Sequence, residues 1–335
     1  MPAAQDPQEL VARAREGHQR SVAKLISLVE NASPQLREVA AALAPHAGNA
    51  QIVGLTGAPG VGKSTTTSAL VTELRARDLR VGVLAVDPSS PFSGGALLGD
   101  RVRMGEHAAD EGVFIRSMAT RGHLGGLAWA TPQALRVLDA AGCDVVLVET
   151  VGVGQSEVDV ARLADTTVVL LAPGMGDGVQ AAKAGILEIG DIFAVNKADR
   201  DGARQTVREL KNMLHLREGA AAADHGAGRS AGGTGAAPWA PPVLSMIAAR
   251  TEGVGPLADA ITEHRAWSES SGALRGRRRR RAESEIEAIS LEQVRSRMEC
   301  LRGGTAVPAL ADRVLAGELD PYSAADELRA GATDG

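Results

Sequence analysis

Aromatic residues make up only 2% of this 335-residue chain, so its core must be built from Val, Leu, Ile and Ala. The same scarcity removes the stacking side chains on which a single-stranded nucleic-acid binder depends. Cysteine is equally sparse: Cys143 and Cys300 are far apart and outside any metal-ligand spacing, which argues against a disulfide framework or a zinc ribbon. No apolar run approaches the roughly 18 residues of a membrane span. The first thirty residues carry Asp6, Glu9, Glu16 and Glu30 and do not read as a secretory signal, so the expected location is cytoplasmic. The net charge of -5 offers no general attraction to DNA, RNA or an acidic membrane. Neither nucleic acid nor membrane is therefore expected as a partner. Hydrophobic content of 44% and charged content of 23% suit an ordinary globular chain.

What is present is punctuated by glycine. Residues 57–64 read GAPGVGKS, a phosphate-loop pattern directly after the apolar run Ile52, Val53, Gly54, Leu55. Gly57, Ala58, Pro59, Gly60, Val61 and Gly62 are small or turn-forming, so successive backbone N–H groups can face phosphate oxygens. Lys63 would reach the outer phosphates and Ser64 would offer a hydroxyl to Mg2+, with Thr65 beside it in the first helical turn. Short apolar runs at 51–55, 80–86, 144–149, 167–172 and 191–195 alternate with helical patterns, which predicts an α/β fold with a mainly parallel central sheet.

The periodicity divides the chain into three stretches. Residues 1–47 read as a helical N-terminal extension, with a helix start at Ser33 and Pro34. Residues 48–267 read as the nucleotide domain, interrupted by a Gly/Ala-rich flexible loop at 218–240 and closed by a strand at 242–247 and a helix at 254–267. Residues 268–335 read as a C-terminal helical arm, with an arginine run at 277–281, a long helix at 282–301 and a final helix near 324–328. The arginine run reads as a solvated cluster flanking a helix. The seven scattered histidines read as surface or capping residues.

Further motifs narrow the nucleotide. Asn196, Lys197 and Asp199 form NKAD at the end of an apolar strand, about 130 residues beyond the phosphate loop. A carboxylate at Asp199 can accept from both N1–H and the exocyclic amine of guanine, a pair that adenine lacks, which points to GTP and GDP. Glu149 ends the strand DVVLVE and reaches the magnesium region. Gly152 follows where a backbone N–H would sense a γ-phosphate. Asp87 and Asp100 can supply oxygen ligands to the metal, or cap helices. Val153 holds the position where fast G proteins carry a water-orienting glutamine, and Gln155 is two residues further on, so unaided hydrolysis should be slow. Residues 174–185, with Asp177 and Lys183, are either a nucleotide-responsive loop or a plain connection. The candidate catalytic set is Lys63, Glu149, Gln155, Asp177 and Lys183.

Taken in order, GAPGVGKST, DPSSPFSGGALLGDRVRM, ETVGVGQSE, GMGDGVQAAKAGILEIGDIFAVNKAD and WAPPV resemble the MeaB/ArgK family of P-loop GTPases, most strongly from Gln51 to Leu214. The resemblance implies a P-loop NTPase fold and a G-protein chaperone of adenosylcobalamin-dependent methylmalonyl-CoA mutase, or of a related acyl-CoA mutase. Such a chaperone gates cofactor loading and protects the mutase. It also implies that Lys63, Ser64, Asp87, Asp100 and Glu149 form the phosphate and Mg2+ site, and that Asp177 and Lys183 lie in a third switch. A homodimer joined by the C-terminal arm is implied as well. Leu291, Val294, Met298 and Leu301 have the spacing of a helix seam, between two copies or within one chain. Departures include Gly178 and Ala184 in the third switch, and Ile247 where the fifth motif commonly has Ser or Thr. The Ala248 backbone N–H would then do the binding. Two other readings stay open, a nickel-enzyme metallochaperone GTPase and an ArgK-type kinase or transport ATPase; the first needs a metal-delivery motif and the second a preference for ATP.

Overall fold

Seven apolar segments become strands: β1 (Gln51–Thr56), β2 (Val81–Asp87), β3 (Val113–Ala119), β4 (Val145–Thr150), β5 (Thr166–Leu171), β6 (Ile192–Val195) and β7 (Val243–Ser245). In the computed structural model they form one sheet in the order β3-β2-β4-β1-β5-β6-β7, with every neighbouring pair parallel. The structure describes residues 6–87, 105–107, 109–119, 130–150, 156–174, 185, 187–224, 237–302 and 306–331. β1 and β4 are buried along their whole length, as strands covered on both faces must be.

The helices are α1 (Pro7–Arg15), α2 (Gln19–Glu30), α3 (Leu36–Leu43), α4 (Lys63–Ala76), α5 (Thr131–Ala140), α6 (Ser156–Leu163), α7 (Ala203–Asp224), α8 (Val254–Ser270), α9 (Ala273–Arg302), α10 (Ala306–Leu315) and α11 (Pro321–Gly331). One face of the sheet, including Ile52, Leu84, Val86, Val146 and Val148, packs on α5 and on the N-terminal helices through Leu25, Ile26 and Val29. Those three side chains are fully buried. Burial on that scale stabilises by about 1.5–3 kcal/mol per side chain, so the lead-in is part of the core of this body. On the opposite face Val53, Leu55, Val83 and Leu147 meet Leu70 and Leu74 of α4 and Leu257 and Ile261 of α8. A smaller cluster joins Val169, Phe193 and Val195 to Leu210 and Leu214 of α7.

The chain divides into two compact units, Met1–Arg277 and Arg278–Gly335. Within the second, Arg313 Nη1 of α10 meets Glu327 Oε2 of α11 at 2.7 Å, and Asp320 accepts from the backbone N–H groups of Tyr322 and Ser323 at 2.8 and 3.1 Å. Ile286, Leu291 and Val294 of α9 are exposed; Leu291 and Val294 belong to the expected seam. The side chains of Met298 and Leu301 lie outside the described residues.

Several sequence expectations need correction. β3 adds a strand beyond those that the apolar runs predict: it is an edge strand, and Arg116 and Ser117 interrupt its apolar pattern. The helix expected to start at Ser33 starts at Leu36; the Ser33 hydroxyl instead accepts from the Gln35 N–H at 3.3 Å, a turn that precedes the helix. The loop placed at 218–240 begins late, because α7 continues to Asp224 through an alanine stretch of the highest helix propensity. Residues 225–236 lie outside the described set. The arginine run belongs to α9 itself, and the final helical region is two helices.

Candidate functional site

The loop 57–62 leaves the carboxyl end of β1 at the middle of the sheet, where β4 lies on one side and β5 on the other. Open α/β folds place ligands at such an edge. Gly57 has φ +142, and a Cβ there would fall 2.2 Å from the Leu170 carbonyl oxygen of β5, so only glycine lets the loop turn so close to the neighbouring strand. The loop ends at Gly62, the left-handed N-cap of α4.

Lys63 is 7% exposed, and its ammonium donates to the Gly57 carbonyl at 2.7 Å and the Ala58 carbonyl at 3.1 Å. The cation thus lies folded over the loop that its sequence pattern assigns to phosphates. One residue on, the Ser64 hydroxyl donates to Glu149 Oε1. Register brings them together, since Leu55 pairs with Glu149 and the loop follows directly after β1. Glu149 is only 2% exposed, and its second oxygen lies 3.1 Å from the Thr67 hydroxyl, which is also 3.0 Å from the Lys63 carbonyl. Sequence reasoning did not single out Thr67. The signal was available: three residues after Ser64, it shares that side of the helix.

The NKAD segment is tied to the same loop. Asn196, 3% exposed, donates from Nδ2 to the Val61 carbonyl at 2.8 Å. Its Oδ1 accepts from the N–H of Lys197 at 2.8 Å and of Ala248 at 3.0 Å. A Cβ on Gly62, where φ is +96, would lie 2.4 Å from the Asn196 amide nitrogen, so this glycine makes room for the bridge. Lys197 takes a left-handed φ of +57, and its ammonium donates to the Gly60 carbonyl at 2.6 Å. Asp199 is exposed at the rim, 3.9 Å from the guanidinium of Arg250. Arg250, in the fifth-motif loop, is another neighbour that the motif pattern did not supply.

Ala248 departs from expectation. Its N–H, assigned from the sequence to the nucleotide, is engaged by Asn196 Oδ1. A side-chain amide oxygen can accept from two N–H groups at once, and here it uses that capacity to join two loops. Pro59, Gly60 and Thr65 are exposed on the outer surface of the loop and first turn, while Gly57 and Val61 are buried. Asp87 ends β2 beside β4, but its side chain lies outside the described residues. Asp100, Gly152, Gln155, Asp177 and Lys183 all lie outside the described residues.

A seven-stranded parallel sheet with a glycine loop and a lysine at the amino end of α4 defines a P-loop nucleotide-binding protein. Comparison with known proteins is more specific. The family described as "Methylmalonyl Co-A mutase-associated GTPase MeaB" matches residues 22–301, and the chain belongs to this family of P-loop GTPases. A Pyrococcus abyssi protein whose name places it among GTPases is 49% identical over 320 residues, 96% of this chain and 95% of that one. The mouse protein named "Methylmalonic aciduria type A homolog, mitochondrial" is 33% identical, over 93% of this chain and 76% of its own length. Among solved structures, one of an LAO/AO transport system kinase aligns with a TM-score of 0.65 and 27% identity, covering 98% of this chain and 97% of the other.

Proposed function

We propose that the protein binds GTP and GDP, hydrolyses GTP slowly, and serves as a chaperone of an adenosylcobalamin-dependent acyl-CoA mutase of the methylmalonyl-CoA mutase type. The observation that carries the nucleotide reading is the Asn196 side chain, which bonds the phosphate loop at Val61 and the fifth-motif loop at Ala248. This bridge supports reading the phosphate loop and the NKAD loop as parts of one site. In this reading Lys63 leaves the Gly57 and Ala58 carbonyls for the outer phosphates, and the backbone N–H groups of 57–64 receive the phosphate oxygens. Asp199 accepts from the guanine edge, and the stem of Lys197 covers one face of the base.

The donor set suits Mg2+, which prefers oxygen and keeps several waters: the Ser64 hydroxyl and a buried carboxylate, Glu149, stand side by side with the Thr67 hydroxyl behind them. Ser64 would hold the ion, with Glu149, Asp87 and Asp100 orienting its waters or binding it; the ion would neutralise charge on the transferring phosphoryl group. Glu149 thereby fixes the direction of the Ser64 oxygen. With Val153 after Gly152, no glutamine adjoins the third-motif glycine, which supports slow turnover that a partner accelerates. Gln155, Asp177 and Lys183 are the side chains we assign to that response.

The mutase partner rests on the family description and on the name of the mouse relative. A homodimer through the C-terminal arm is supported by the exposed Ile286, Leu291 and Val294 on one long helix. No helix among the described residues is long and apolar enough to cross a membrane, and we place the protein in the cytoplasm. The test is GTP turnover and complex formation with and without the host's cobalamin-dependent mutase. Stimulated turnover and a stable complex are expected; neither appearing would reject the chaperone role while leaving the nucleotide site intact.

A further inference from the structure

The first arginine of the run at 277–281 is not solvated. Arg277 donates through Nη1 to Asp191 Oδ2 at 2.7 Å and through Nη2 to Asp191 Oδ1 at 2.5 Å, a two-pronged pair, and Nη1 also meets the Asp165 carbonyl at 2.9 Å. Asp191 is buried immediately before β6. It exchanges two bonds with Thr167 of β5: its N–H donates to the Thr167 carbonyl at 2.9 Å and its Oδ2 accepts the Thr167 N–H at 2.8 Å. Its carbonyl accepts from Trp239 Nε1 at 2.7 Å.

Behind it lies His264 of α8, fully buried, contrary to the surface role expected of the histidines. Gln51 Nε2 donates to the Thr166 hydroxyl oxygen at 3.0 Å, and that hydroxyl lies 2.8 Å from His264 Nδ1. The other ring nitrogen, Nε2, faces Asp191 Oδ1 at 3.4 Å. Trp239 and Trp267 enclose the imidazole, with ring centroids 4.9 and 5.6 Å away.

Two rigid elements run from this cluster to the base-reading loops. β6 has four residues, with Asp191 just before it and Asn196 just after, so about 16 Å of extended chain separates the two. α8 starts at Val254, shortly after Ala248 and Arg250, and carries His264 further along. A short strand has little hydrogen bonding of its own to fix its register, and a side chain that bonds across its first residue supplies the missing constraint.

We infer that Arg277 is a positioning residue for guanine recognition: through Asp191 and its neighbour His264 it seats β6, which leads into Asn196, and α8, which follows the turn that holds Ala248. The first turn of α9 and the base site are thus coupled, so displacement of that turn loosens nucleotide. The inference rests on the guanine-reading assignment of Asn196 to Asp199. Its fork is suited to arginine, since lysine offers only a point charge.

The test uses the full chain with Arg277→Ala, Arg277→Lys and, as a stability control on the opposite face, Val29→Ala. The readouts are the dissociation rate of a fluorescent GDP analogue and the ratio of GDP to IDP affinity, because IDP lacks the exocyclic amine. Arg277→Ala should speed GDP release about tenfold and lower the GDP/IDP ratio, Arg277→Lys should recover part of both, and Val29→Ala should move neither. Release and ratio within about twofold of the parent in Arg277→Ala, or an equal change in Val29→Ala, overturns the inference. Where Arg277→Ala does not fold, Arg277→Lys against Val29→Ala decides by the same criteria. A parent protein that does not prefer GDP over IDP overturns the guanine reading itself, a different outcome from a parent that discriminates and variants that match it.

Discussion

The amide oxygen of Asn196 accepts the backbone N–H of Ala248 at 3.0 Å while its amide nitrogen donates to the Val61 carbonyl at 2.8 Å. One buried side chain therefore connects loops that are far apart in sequence. Asn196→Ala would leave buried backbone groups at Val61 and Ala248 unpaired. The expected outcome is a stability loss of about 2–4 kcal/mol in urea unfolding, together with weaker binding of both GTP and GDP. A variant with parental stability would show that the bridge is dispensable.

Asp199 is exposed, and the role we propose for it is recognition rather than stability. Asp199→Asn should unfold with the parent, bind GTP at least about tenfold more weakly, and gain affinity for xanthine nucleotides, whose edge keeps the N1–H donor but replaces the exocyclic amine with an acceptor oxygen. Calorimetric titration with GTP and XTP measures this. Unchanged GTP affinity would remove Asp199 from the base site.

Gly57→Ala puts a methyl group 2.2 Å from the Leu170 carbonyl oxygen, at a φ of +142. Backbone cannot swing aside as a side-chain tip can, so the loop must move. Nucleotide binding should fall below detection while the far-ultraviolet spectrum stays helical, and thermal stability should drop by about 1–3 kcal/mol. Nucleotide affinity equal to the parent's would contradict the close approach.

Burial pushes the Asp191 carboxyl upward, but the Arg277 and His264 contacts together overcome this and bring it from 3.8 down to about 2. A carboxylate held low contributes stability that is complete above its unfolded value and lost as pH falls through its folded one. The contribution is about 2 kcal/mol, disappearing between about pH 4 and pH 2. Urea midpoints taken from pH 6 down to pH 2.5 should fall more steeply for the parent than for Asp191→Asn. Parallel curves would mean that another group controls the acid limb.

Burial raises the Cys143 thiol to about 12. In a Cys300→Ser background, Cys143 should resist alkylation at pH 8 and react only as fast as the protein opens. Immediate labelling of the native protein would show that the Cys143 thiol is accessible in the folded state.

Much of the site was legible because its chemistry is local. A lysine and serine following a glycine loop, and an aspartate three residues after an asparagine, occupy one turn or one strand end each, so spacing alone identifies them. Thr67 was legible in principle from helical periodicity. Arg250 was not, because its nearness to Asp199 depends on how β6 and β7 pair. The edge strand β3 escaped because one face of an outer strand need not be apolar, and Arg116 uses that freedom to reach Glu30 of α2 at 2.6 Å.

The α/β class, the glycine loop and the NKAD motif are written in the chain's local pattern, since each rests on backbone geometry and residue type over a few consecutive positions. Folding alone places Asn196 between the glycine loop and Ala248, lets Thr67 share Glu149 with Ser64, and half-buries Arg277 against Asp191. These are pairings of polar groups distant along the chain. Water satisfies such groups in the unfolded state, and they gain partners only when the core has excluded it.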